Sequence, residues 1–162
     1  MVDAYQDITI PFQMSTEEFF TMVKEHLTED GIMVVNMNMH TEKEGNINQY
    51  LSDTIAKVFP EVYTVDVAGT TNRELFASVQ EGIIEGLEDE TKILNNVELK
   101  GMIQQVADHM QCYEKGNYLL TDDKAPVELL GMQVIDELIQ SELGYYKGIF
   151  KEDGIRGILE SM

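Results

Sequence analysis

Phe19, Phe20, Val23 and Leu27 recur at helical spacing behind Ser15-Thr16-Glu17-Glu18, and together they predict a helix that ends at Glu29-Asp30-Gly31. The Ser15 hydroxyl is placed to accept from the amide near Glu18 while the Glu18 carboxylate reaches back, a capping box. Ile32-Met33-Val34-Val35 follows as an unbroken apolar run between Gly31 and Asn36, which predicts an internal parallel strand buried on both faces. Asn46 then opens a second amphipathic helix carrying Ile47, Tyr50, Leu51, Ile55, Val58 and Phe59, and Pro60 closes it. Val62 to Val67 reads as the next strand and Gly69 to Asn72 as a turn. Glu74 to Ala77 reads as a last strand, near enough to pair antiparallel with its predecessor.

Past residue 80 the pattern changes. Glu81, Glu85, Glu88, Asp89 and Glu90 form an acidic stretch, and everything after it reads as helix. Leu99, Ile103, Val106 and Met110 mark one helix. Leu130, Val134, Ile135, Leu138 and Ile139 mark a longer one opened by Pro126. Tyr145–Phe150 and Ile155–Leu159 read as two short helices punctuated by glycine. The alternation of strand and helix gives an α/β class for residues 1–79, with residues 80–162 as a helical extension packed on it.

Thirty acidic against 11 basic residues give a net charge of −19, which argues against phosphate-backbone partners and favours cationic ligands. The same charge also serves solubility. Cys112 is the single cysteine, so no internal disulfide can form, and this fits a reducing compartment. The three histidines fall in different elements, and neither Cys-x-x-Cys nor His-Glu-x-x-His occurs, so no metal site is expected. The apolar runs are too short to cross a bilayer, no secretion signal opens the chain, and the expected compartment is the cytoplasm.

The candidate chemistry lies at the start. Met1-Val2 reads as the tail of an apolar strand, and Asp3 stands at its carboxyl end, where α/β sheets bind ligands. Asp7 follows, with Tyr5 and Gln6 between the two acids. A carboxylate there can hold an ammonium group, orient it and take its proton as a new bond forms. On a purely structural reading Asp3 ends a strand, Asp7 shapes a turn, and Tyr5 and Gln6 are surface loop residues. Asn36 and Asn38 lie past the apolar run, where they either meet a substrate or cap a loop. Thr121-Asp122-Asp123-Lys124-Ala125-Pro126 reads as capping and dipole matching ahead of a Pro-started helix, or as a cation site. Gly82-x-x-x-Gly86 and Gly144-x-x-x-Gly148 lack the Lys-Ser/Thr of a phosphate loop.

VDAYQDITIPF, STEEFF, GIMVVNMN, VYTVDV, TTNRELFAS and LTDDKAPVELL, in that order, resemble the spermidine synthase-like (polyamine aminopropyltransferase) family over nearly the whole chain. The resemblance implies the carboxyl-terminal half of a Rossmann-like, class I methyltransferase-type sheet, closed by a hairpin and followed by a helical tail. It implies Asp3 as the catalytic residue. Tyr5, Gln6 and Asp7 become substrate-binding positions, with Gln6 and Asp7 sharing the second acidic role because the spacing is longer than the family's. The segment Asp7–Met14 corresponds to a loop that folds over the ligands. The implied reaction is aminopropyl transfer from decarboxylated S-adenosylmethionine to a putrescine-like amine.

The Gly-rich turn and ribose-binding acid of a cofactor half are not in this sequence, so no cofactor bound by the chain alone and no catalysis by it alone are expected. A homo-oligomer or a separately supplied amino-terminal half is the expected partner. The alternatives are an S-adenosylmethionine-dependent methyltransferase-like protein and a non-catalytic assembly module.

Overall fold

The structure, a computed structural model, describes residues 11–37, 43–67, 70, 72–84, 86 and 95–161. Among them are four helices, a single 3-10 turn and four strands. In chain order these are α1 (Glu17–Glu25), β1 (Ile32–Met37), α2 (Ile47–Val58), β2 (Glu61–Asp66), β3 (Arg73–Ser78), α3 (Val97–His109), β4 (Gln111–Cys112) and α4 (Val127–Ser161). The 3-10 turn, Phe12–Met14, precedes α1. This is an α/β architecture built on a small antiparallel sheet of order β1-β3-β2-β4.

The cap of α1 falls one residue later than the capping box suggests. The Ser15 hydroxyl donates to the Phe12 carbonyl at 2.7 Å and closes the preceding turn. Thr16 is therefore left in the extended conformation, and its hydroxyl accepts from the Phe19 amide. Glu18 does not reach back; its carboxylate accepts from the Asp122 amide at 3.0 Å. Asn46 caps α2 as expected, accepting from the Gln49 amide at 3.0 Å.

The third strand is where the sequence expectation and the structure part. β3 pairs antiparallel with β2, as the hairpin spacing suggests, but it also pairs antiparallel with β1, from Ile32↔Ser78 to Met37↔Arg73. It is a central strand, and β1 and β2, each antiparallel to it, run parallel to one another. β1 is thus not flanked by a parallel neighbour among the described residues. Its burial alternates: Met33, Val35 and Met37 are buried, while Ile32 is 38% exposed. The buried set joins Phe20, Leu51, Ile55, Val62, Leu75 and Ala77 in one core under α1 and α2. Each such fully buried large side chain contributes roughly 1.5–3 kcal/mol relative to exposure.

The region past residue 80 is not wholly helical. β4 adds two residues to the outer edge of β2, and the Tyr113 amide continues the contact to the Val62 carbonyl at 2.9 Å. α4 runs through Gly144 and Gly148, so Tyr145–Phe150 is not a helix of its own, whereas Gly154, at φ 64° and ψ −155°, breaks the helical geometry and sets the residues from Ile155 apart as a short helical segment, as the glycine spacing suggests. A mid-helix glycine costs about 1 kcal/mol and does not by itself end a helix. The first turns of α4 bury Val127, Leu130 and Val134 in the shared core.

Candidate functional site

Asp3, Tyr5, Gln6 and Asp7 lie outside the described residues, as does Asn38. The segment corresponding to the ligand-covering loop is described from Pro11 onward, where the 3-10 turn leaves Phe12 43% exposed. The functional geometry that can be built is that of the sheet end to which β1 and β2 point.

On β1, Asn36 stands opposite Glu74 of β3, and Glu74 stands opposite Val65 of β2, so the three form a row across the sheet. The Asn36 side-chain carbonyl oxygen is buried without a hydrogen-bond partner, a state that costs free energy unless something satisfies it. At the end of β2 a pocket of about 200 Å³ opens between the sheet and α3, lined by Val65, Asp66, Val67, Glu74, Phe76, Gln105, Val106 and His109. The Arg73 guanidinium grips both Asp66 carboxylate oxygens, at 2.5 and 2.9 Å. The lining combines the apolar side chains of Val65, Val67, Phe76 and Val106 with two carboxylates, Glu74 and the Arg73-paired Asp66.

A larger pocket of about 400 Å³ is bordered by Lys24, Lys57 and Lys115. The positions of two of them follow from the helices. Lys24 and Lys57 occupy the last turns of α1 and α2, where the carbonyl ends attract cations. The Lys24 ammonium donates to the Val58 carbonyl at 2.6 Å and stands 5.8 Å from the Phe59 ring centre.

Two buried carboxylates escape sequence reasoning altogether. Asp53, 1% exposed on α2, accepts from the Tyr113 hydroxyl (2.7 Å), the Gly116 amide (2.8 Å) and the Tyr118 amide (2.9 Å). It ties residues 113–118 to α2. Burial, reinforced by the hydrogen bond to Asp53 and its negative charge, pushes the Tyr113 hydroxyl well above the ordinary tyrosine range. Glu61 accepts from the Ser78 hydroxyl and the Gly82 and Ile84 amides, and so pins the chain leaving β3. Both acids are spent on their own loops. No periodicity marks them, because their burial follows from where distant loops cross.

The Thr121–Lys124 segment forms a tight turn closed by paired backbone bonds of 3.2 and 2.8 Å. Asp122 accepts from the Thr16 hydroxyl at 2.7 Å, so this acid serves the start of α1 and not the helix that follows it. Among the described residues, no group of three or more His, Cys, Asp or Glu side chains is placed to hold a metal ion. No described helix is long and apolar enough to cross a membrane.

The chain is 47% identical, over its full length and 179 aligned positions, to a protein of Bifidobacterium longum (strain NCC 2705) named "Probable polyamine aminopropyl transferase". The chain is related to the polyamine aminopropyltransferases. The resemblance carried by the ordered segments of the sequence is thereby borne out. The chain spans 40% of that relative's length and corresponds to its carboxyl-terminal part. No family model matches the chain. No solved structure matches it either.

Proposed function

We propose that this chain supplies the acceptor-side half of an aminopropyltransferase, acting in a complete protein that transfers an aminopropyl group from decarboxylated S-adenosylmethionine to a putrescine-like amine. The observation that carries the proposal is the end-to-end match to a protein named as a polyamine aminopropyl transferase. The sheet supports the finer fold assignment. An antiparallel strand inserted between two mutually parallel ones fits the far edge of a Rossmann-like, class I methyltransferase-type sheet, with the missing strands adding beyond β1. The division into residues 1–79 and a helical extension from residue 80 belongs to the same reading, and the burial of Val127, Leu130 and Val134 in the core supports packing of the extension on the sheet. A small-molecule amine as substrate agrees with the −19 net charge, and the cytoplasm agrees with biosynthetic chemistry of this class.

In the proposed mechanism Asp3 accepts a hydrogen bond from the acceptor's ammonium group and takes its proton, and the freed amine nitrogen then bonds to the carbon beside the sulfonium as the carbon–sulfur bond breaks and the neutral thioether leaves with that electron pair. An alkylamine with a pKa near about 10 is otherwise almost entirely protonated at neutral pH. Asp7 holds the far ammonium, and Tyr5 and Gln6 line the alkyl stem. The co-substrate supplies the electrophilic carbon beside a sulfonium; this chain's part is to bind and orient the amine and to shield the reaction from water.

The test is product analysis on a complete protein of the relative's extent, incubated with putrescine and decarboxylated S-adenosylmethionine. Mass spectrometry should find an added aminopropyl group, and Asp3→Asn should lower kcat by roughly 10²–10⁴. An added methyl group, obtained with S-adenosylmethionine instead, would reassign the reaction. Unchanged turnover in Asp3→Asn would return that residue to a structural role.

A further inference from the structure

We infer that the pocket bordered by Lys24, Lys57 and Lys115 is a binding site for a small organic phosphate. It lies away from the end of the sheet to which β1 and β2 point. Val58, Phe59 and Pro60 lead straight into β2 at Glu61, so this pocket of about 400 Å³ sits beside the amino-terminal end of that strand. The cavity lined by Val65, Asp66 and Val67 opens at the strand's other end.

Charge singles the pocket out. The chain has 11 basic and 30 acidic residues, yet three of the 11 border this one cavity and no acid lines it. The three lysines come from separate elements. Lys24 ends α1, Lys57 ends α2, and Lys115 belongs to the segment that Asp53 fixes through the neighbouring Gly116 amide. Among the described residues, no carboxylate forms an ion pair with any of them. A helix-end carbonyl accounts for Lys24, which donates to Val58. It does not account for the other two: among the described residues Lys57 makes no such bond, and Lys115 lies in no helix.

Like charges gathered without a counter-charge repel one another, and an anion seated among them turns that repulsion into attraction. The two helix ends oppose an anion with about half a negative charge each, against three full positive charges. The local balance therefore favours an anion even in a chain whose net charge is −19. Three ammonium groups with several donors each suit the clustered oxygens of a phosphate. Val58, Phe59 and Val62 add apolar lining. The volume falls within the roughly 300–1,000 Å³ typical of small-molecule sites, which leaves room for an organic body beside the phosphate.

Isothermal titration of the full 162-residue chain with ADP at low ionic strength should give one site with a Kd below about 1 mM. Amide resonances of Lys57, Tyr113 and Lys115 should shift most on binding. Lys57→Gln and Lys115→Gln, both at exposed positions, should leave the circular dichroism spectrum unchanged and each weaken binding by about fivefold, and the double variant should weaken it further. Lys147→Gln, exposed on α4, should bind as the parent does. Adenosine, which lacks the phosphates, should not bind, and pyrophosphate, which lacks the organic body, should bind less tightly than ADP. Absence of heat and of resonance shifts up to about 10 mM ADP overturns the inference. So does equal weakening by Lys147→Gln, which marks a diffuse charge effect, or binding whose shifts cluster at Val65–Val67, which marks the other cavity. Pyrophosphate binding as tightly as ADP overturns the organic part of the assignment.

Discussion

Replacing Asp53 removes an acceptor from three donors at once, and the size of the loss can be worked out from its contacts. Its carboxylate takes hydrogen bonds at 2.7, 2.8 and 2.9 Å from the Tyr113 hydroxyl and the Gly116 and Tyr118 amides. Hydrogen bonds to a charged group contribute about 1.5–3 kcal/mol each, and a donor left buried without a partner incurs its desolvation cost. The half-buried Tyr113 hydroxyl can turn toward water, whereas the two backbone amides cannot move without moving the loop. Asp53→Ala should therefore destabilise by about 4 kcal/mol, a large share of the roughly 5–15 kcal/mol of a typical domain. Asp53→Asn keeps the shape. Its single carbonyl oxygen, placed at Oδ1, still serves Tyr113 and Gly116, but its amino group confronts the Tyr118 amide, so about 2 kcal/mol is expected. Urea unfolding should show this directly: with an m-value near about 2 kcal/mol/M, the alanine midpoint falls by about 2 M and the asparagine midpoint by about half as much. Hydrogen exchange should locate the effect, with the Gly116 and Tyr118 amides losing protection first. A midpoint shift under about 0.5 M for Asp53→Ala, or equal shifts for the two variants, would refute the assignment of this carboxylate as the anchor of residues 113–118.

Three further outcomes follow from neighbouring contacts. A Cβ added at Gly116 would lie 2.5 Å from Asp53 Oδ2 and 3.0 Å from Oδ1; Gly116→Ala should cost roughly 2 kcal/mol, and less in an Asp53→Ala background, which a double-mutant cycle measures. Thr16→Ala loses both the helix cap and the bond to Asp122, so its urea midpoint should report about 2 kcal/mol, with Thr16→Ser recovering most of it. Tyr113 has its folded pKa raised above the unfolded value near about 10. Its contribution is complete below that pH and is lost as pH rises toward the folded pKa. Stability should decline in the alkaline range, Tyr113→Phe should flatten that decline, and a tyrosinate absorbance titration should lose its late, most alkaline component in Tyr113→Phe.

What the sequence determined by itself was local. Asn46 before an apolar-periodic run, Pro60 after it, and the spacing of Phe19, Phe20, Val23 and Leu27 give α1 and α2, because capping and periodicity act within a few residues. The β2–β3 hairpin was equally legible, since only a short turn separates its strands. The candidate chemistry of Asp3, Tyr5, Gln6 and Asp7 also rests on sequence alone, through residues that resemble a transferase motif. The tertiary structure decided what depends on distant segments meeting. Whether β3 lies at an edge or between β1 and β2 is a choice of partner some 40 residues away in the chain, and no local pattern encodes it. The two-residue β4 has no periodicity to detect. Asp53, Glu61 and Asp122 look like ordinary surface acids until loops from elsewhere place amides and hydroxyls against them. Only that convergence makes burying or engaging a carboxylate favourable, because its charge has to be met by donors the local sequence does not contain.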